Sequence, residues 1–130
     1  MIVDTSAVVA IVLGETGAGE LKDALARSTG SRMSAASYVE LCAVLARRNR
    51  PEVSRLVDRL LGAYDIHIKS FDPEQAHVAA QAYRDYGRGS GHPAGLNLGD
   101  TYSYALASVS GEPLLYQGDD FAHTDIRSAC

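Results

Sequence analysis

The sequence predicts an α/β fold with a mostly parallel central sheet and helices on both of its faces. Short apolar runs of β type alternate with stretches of helical period along the whole chain. No internal repeat or low-complexity tract points to another architecture. The length, 130 residues, suits one domain, and 46% hydrophobic with 22% charged residues is ordinary globular composition, enough to bury a core without staples.

Met1, Ile2 and Val3 form the first apolar run, which ends at Asp4. Thr5 or Ser6 then caps a helix carrying Val8, Val9, Ile11, Val12 and Leu13, broken by Gly14 and Gly17. Residues 18–27 read as an amphipathic helix with Leu21 and Leu25 at i, i+4. After the turn at Thr29-Gly30, residues 32–35 are a weak strand candidate. Tyr38, Leu41, Cys42 and Leu45 then share one helical face. Asn49-Arg50-Pro51 ends that helix and starts another, whose stripe is Val53, Leu56, Val57, Leu60 and Leu61, up to Gly62.

Ile66, His67 and Ile68 alternate as a strand does. Asp72, Pro73 and Gln75 have the spacing of a capped helix start, and that helix runs to about Tyr86. Residues 87–97 (GRGSGHPAGLN) are expected to be a mobile surface segment. Residues 99–109 are helical, with Leu98, Tyr102, Ala105, Leu106 and Val109 inward and Gly111 as the C-terminal cap. A strand over 113–116, a short turn of helix over 118–121 and an edge strand over 125–127 complete the chain.

The net charge of −4 is not that of a protein coating nucleic acid by charge alone. It is compatible with binding through metal ions, which reverse the field of a carboxylate cluster. Cys42 and Cys130 make neither a disulfide framework nor a zinc spacing, and read as reduced thiols. The longest unbroken apolar stretch, 7–13, is too short to cross a bilayer, and no targeting segment is visible. The expected location is the cytoplasm, with no membrane partner.

The acids carry the chemistry. Asp4 ends the first strand, and Asp119 and Asp120 follow the strand at 113–116. Glu40 and Asp100 fall in first turns of helices. In a parallel sheet all of these converge on the carboxyl edge, where open α/β sheets bind ligands near a switch in strand order. Packed carboxylates repel, so one holds a proton or a cation sits among them. Oxygen-only ligands suit Mg²⁺ or Mn²⁺, and such sites favour in-line phosphodiester hydrolysis. The competing explanation is capping: acids at helix N-termini are commonly caps. Spacing alone does not separate the two.

The order of the motifs adds to this. MIVDTSAVVAIVLGE resembles the first motif of PIN-domain proteins, SAASYVELCAVLARR the second, LNLGDTYSYALA the third, and PLLYQGDDFAHTDI the last. The resemblance covers nearly the whole chain, and is strongest to the VapC-type toxins of bacterial toxin–antitoxin pairs. It implies a PIN-like three-layer α/β/α sandwich over residues 1–130, and an endoribonuclease requiring Mg²⁺ or Mn²⁺. It implies Asp4, Glu40 and Asp100 as metal-binding acids, with Asp120 favoured over Asp119 as the fourth because the family places an acid directly before Phe. Ser6 would orient Asp4, and Thr124 would do similar work on the other side; Asp125 reads either as a further supporting residue or as an edge-strand charge.

The resemblance further implies an RNA substrate, a homodimer and a cognate antitoxin lying in a groove partly formed by residues 36–62. Arg47, Arg48, Arg50, Arg55 and Arg59 are the densest basic cluster there and would steer RNA. The plainer explanation is a solvated face, with Glu52 and Asp58 tempering the arginines. His67, His77, His92 and His123 lack ligand spacing, and His92 reads as a solvated loop residue. Tyr102 reads as core, and Tyr104, on the same helical side as Asp100, as the one tyrosine placed to stack a base. A haloacid-dehalogenase-like phosphatase would need a second Asp two residues after Asp4, where this chain has Ser6. The remaining rival is a catalytically silent PIN-like module that holds RNA or an antitoxin.

Overall fold

A computed structural model describes residues 1–48 and 51–130. Asn49 and Arg50, the expected helix break and one member of the basic cluster, lie outside the described residues. The described elements are β1 (Ile2–Val3), α1 (Thr5–Leu13), α2 (Ala18–Arg27), β2 (Arg32–Ser34), α3 (Ala35–Arg47), α4 (Pro51–Ala63), β3 (His67–Lys69), α5 (Pro73–Tyr86), α6 (Leu98–Ser110), β4 (Leu114–Leu115) and a 3₁₀ turn (Asp120–His123). The strands lie in the order β3-β2-β1-β4, all parallel. The chain returns across the sheet between β1 and β4, so the switch in strand order falls beside Asp4.

Alternation along the strands divides the core. Val3, Met33 and Leu115 pack with α1 to α4, while Ile2 and Leu114 pack with α5, α6 and Phe121. Ile2 is in register with Leu114, and Val3 with Leu115, which matches the two faces across the switch. The result is helix, sheet, helix: the three-layer α/β/α arrangement that the resemblance implied.

Burial modifies several sequence expectations. Asp4, not Thr5 or Ser6, is the N-cap of α1, because its carboxylate accepts from the Ser6 N–H. Cys42 is exposed, and α3 turns Ser37, Leu41 and Leu45 inward at i, i+4 and i+8. Leu56 is also exposed. β3 is a fully exposed edge strand behind a buried Ile66. In α6, Leu98 and Val109 face out and Tyr104 faces in, since small residues such as Ser103, Ala105 and Ala107 let neighbours approach on several sides. Tyr102 is half-buried, its ring edge-on to Phe71 at 5.2 Å.

Residues 125–127 form no strand; β4 is met instead by a single bridge from Ser128. The 87–97 segment is tied down rather than free, with a Gly87–Leu96 bridge and buried Ala94 and Leu96. Asp72 caps α5 as expected, accepting from the Gln75 N–H at 2.9 Å. Among the described residues no helix is long and apolar enough to cross a membrane.

These burials predict opposite outcomes for adjacent residues of α3. Leu41 is 0% exposed, so Leu41→Ala is expected to cost about 2–5 kcal/mol in urea unfolding. Cys42→Ala, on the exposed face, is expected to stay within about 0.5 kcal/mol.

Candidate active site

Asp4 sits where β1 becomes α1. Its main-chain N–H donates to Leu115 O at 2.9 Å, extending the sheet by one bond. The side chain is only 2% exposed. Asp4 Oδ2 accepts from the Ser6 N–H at 2.9 Å and from the Ser6 hydroxyl at 2.6 Å. Ser6 Oγ in turn accepts from the Gln117 N–H at 3.0 Å, which ties the carboxylate to the segment after β4. Asp4 Oδ1 is buried with no hydrogen-bond partner. A buried carboxylate oxygen left so is costly, and asks for a donor or a cation.

Asp100 is a helix cap. Its carboxylate accepts from the Asn97 N–H and the Asn97 side chain accepts from the Asp100 N–H, each at 2.9 Å, a reciprocal capping box. That role does not account for its ionisation. Burial pushes its carboxyl up to about 7, against the Asn97 bond, and the charges of Asp4, Asp120 and Glu40 push the same way. Glu40 is also raised, first by burial, with a Thr5 hydrogen bond opposing it, then by the Asp4 charge, with Arg47 opposing that.

Gly99 explains how Glu40 reaches this edge. A Cβ at position 99 would fall on the Glu40 carboxylate, so the bare backbone of the first turn of α6 is what admits it. Two buried hydrogen bonds fasten the helices that carry the acids. The Thr5 hydroxyl of α1 donates to Ser37 O of α3 at 3.1 Å. Ser37 Oγ and Ser103 Oγ of α6 pair at 3.0 Å. Sequence reasoning missed Gly99, Ser37 and Ser103. The available signal was a glycine inside a helical first turn, which costs about 1 kcal/mol against Ala and so points to a close approach.

Asp4, Glu40, Asp100 and Asp120 thus bear on one another. Asp119 does not join them: it lines a separate open cleft with Gly17, Glu20 and Tyr116. Thr124 lies off the acids, its hydroxyl donating to Phe121 O at 2.8 Å and accepting from the Ile126 N–H at 3.3 Å. It closes the turn that carries Asp120. Asp125 is no edge-strand charge, because it accepts from the Tyr104 hydroxyl at 2.7 Å. His92 packs edge-on against Tyr86 at 4.8 Å instead of lying free in solvent.

Among the described residues no three acidic, histidine or cysteine side chains close into a ready-made cation cage. The acids act on one another through their charges instead, most strongly at Asp100. The orphaned Asp4 Oδ1, the raised Asp100 and an all-oxygen donor set fit a hard divalent ion. Mg²⁺ keeps several waters and takes one or two carboxylates directly, so it needs no closed cage.

The fold and this acidic edge define a class of protein, and comparison with known proteins agrees: the chain belongs to the PIN-domain family, whose model matches residues 1–127. Within it the relatives are VapC proteins. The chain is 74% identical over 130 residues to Ribonuclease VapC42 of Mycobacterium tuberculosis, covering 100% of this chain and 99% of that one. It is 49% identical to Ribonuclease VapC28 of the same organism, over 99% of this chain and 97% of that one. The fold is similar to the crystal structure of M. tuberculosis VapC20, a Sarcin-Ricin loop cleaving toxin (TM-score 0.74, 18% identity, 96% of this chain and 95% of that one). It is also similar to a chain of a toxin–antitoxin complex from Klebsiella pneumoniae (TM-score 0.67, 17% identity, 95% and 92% covered).

The raised Asp100 makes metal-free stability depend on pH. Its ionised form is penalised in the folded state, so stability is full below the ordinary carboxyl range and falls as pH rises from about 4 to about 7. Asp100→Asn keeps a capping oxygen and cannot ionise. In a chelator it is expected to match the native chain at pH 4 and exceed it by about 1–2 kcal/mol at pH 8, in paired denaturation curves.

Proposed function

We propose that this chain is an endoribonuclease dependent on Mg²⁺ or Mn²⁺, the toxin of a toxin–antitoxin pair acting in the cytoplasm, with residues 1–130 as a single domain. The observation that carries the reading is the mutual electrostatic influence of Asp4, Glu40, Asp100 and Asp120 beside an unpartnered Asp4 oxygen. Relatives named VapC ribonuclease across the full length support it.

Asp4 and Asp100 would hold the ion most directly, with Glu40 and Asp120 completing its surroundings. When bound, the ion supplies Lewis-acid polarisation of a phosphodiester and activation of the attacking water. The residues do the rest. Ser6 holds the Asp4 carboxylate through Oδ2 and leaves Oδ1 buried without a partner. Asp100 would hold the ion through its carboxylate, whose ionised form burial and the neighbouring acids disfavour and a nearby positive charge would favour. The exposed Arg47, Arg48, Arg55 and Arg59 would meet the RNA backbone, Arg47 close enough to act on Glu40.

Two surfaces suit the remaining partners. A groove of about 330 Å³ between α1, α2 and α4 is walled by Ile11, Val12, Leu56 and Leu60, with Lys22 and Arg59 beside it. An amphipathic acidic antitoxin segment fits that chemistry. On the other side, Val39 (67% exposed), Leu98 (60% exposed), Phe71 and Tyr102 line a nearly continuous apolar surface along α3, α5 and α6, suited to a homodimer contact.

Cleavage of RNA should require a divalent cation, and Asp4→Asn and Asp120→Asn should each reduce it to background. Asp119→Asn should retain it, since Asp119 faces another cleft. RNA bound but uncut by the native chain in Mg²⁺ and in Mn²⁺ would favour the silent module instead.

A further inference from the structure

The turn that carries Asp120 has a fastening the proposed chemistry does not use. Phe121 is buried among Ile2, Leu114 and Leu106, which fixes the start of the turn. Its far end is held by Asp125. The Tyr104 hydroxyl donates to Asp125 Oδ1 at 2.7 Å, and the Tyr86 hydroxyl donates to the same oxygen at 3.4 Å. The Tyr86 and Tyr104 rings lie 5.8 Å apart, and His92 packs edge-on against Tyr86. One carboxylate therefore joins the end of α5, the middle of α6 and the C-terminal turn.

The geometry matters because Tyr104 is four residues after Asp100 on α6, so the two lie on one face of the helix. Asp120 opens the 3₁₀ turn that runs to His123, and Asp125 follows two residues later, so the tie from Asp125 to Tyr104 limits how far that turn can move from α6. A neutral-to-charged hydrogen bond of 2.7 Å is among the stronger side-chain bonds. Both tyrosines are held above their usual range, first by burial and then by Asp125, so they remain donors.

We propose that Asp125, gripped by the Tyr104 hydroxyl, is a positioning residue that fixes the Asp120 turn against α6 and so sets the spacing of the acids that receive a divalent ion. This rests on the metal-dependent reading above. The test uses Mn²⁺ binding to the metal-stripped full chain, read from the loss of the free-ion resonance signal, beside Mg²⁺-dependent RNA cleavage and thermal unfolding. Asp125→Ala and Tyr104→Phe are each expected to weaken Mn²⁺ binding about 10-fold, the usual effect of removing a group that orients a ligand. Asp125→Asn keeps an oxygen for Tyr104 and is expected to restore most of the affinity.

Unchanged Mn²⁺ binding in Asp125→Ala and Tyr104→Phe would overturn the proposal even if both melt earlier, since that marks a merely structural bond. So would Asp125→Asn as damaging as Asp125→Ala, which marks a need for the charge itself. If Asp125→Ala does not fold at the assay temperature, Tyr104→Phe, which keeps its ring in the core, decides the matter. Asp4→Asn separates the two levels: native Mn²⁺ affinity in that variant would sink the metal reading itself.

Discussion

The structure is organised around an electrostatic liability. Asp4, Glu40, Asp100 and Asp120 are brought within each other's influence at a partly buried edge of the sheet, where like charges are costly. A fold selected for stability alone would not gather them. Two responses are visible. Asp100 is held near protonation at neutral pH, and one oxygen of Asp4 is left without a partner in a place water barely reaches. Both are relieved by a cation.

Several features of the chain serve to keep the acids together against that repulsion. The parallel order β3-β2-β1-β4 places the ends of β1 and β4 side by side. Ser6 binds the Asp4 carboxylate and the Gln117 backbone at once. Buried hydroxyl contacts from Thr5 to Ser37 and from Ser37 to Ser103 lock α1, α3 and α6, the helices that hold or follow three of the acids. Each of these hydroxyls has a hydrogen-bond partner, which lets it sit in an otherwise apolar interior. Gly99 contributes by absence: it leaves room for a carboxylate where a side chain would stand.

Much of this was legible in the residues. An apolar pair followed by Asp4, helices of clear period, and acids placed after strands were enough to predict the layers and the edge. The resemblance to PIN-domain motifs supplied the preference for Asp120, whose charge acts on Asp100, while Asp119 lines a cleft with Gly17 and Glu20. What was illegible has a common cause. Periodicity reports the hydrophobic face of an isolated helix, but α6 is enclosed on several sides, so it put Leu98 and Val109, which are exposed, on the inward face and left the buried Tyr104 out of it. The role of Asp125 stayed open in the sequence because its partners, Tyr86 and Tyr104, are 39 and 21 residues away. Long-range polar pairs leave no local pattern.

The claim that the acidic edge exists to receive a divalent ion is tested most directly by diffraction from crystals soaked in Mn²⁺, with data collected near the manganese absorption edge. The account predicts an anomalous peak within coordination distance of Asp4 Oδ1 and beside the Asp100 carboxylate. A well-ordered edge with no peak there at saturating Mn²⁺, or a peak only at some other cluster of acids, would contradict it.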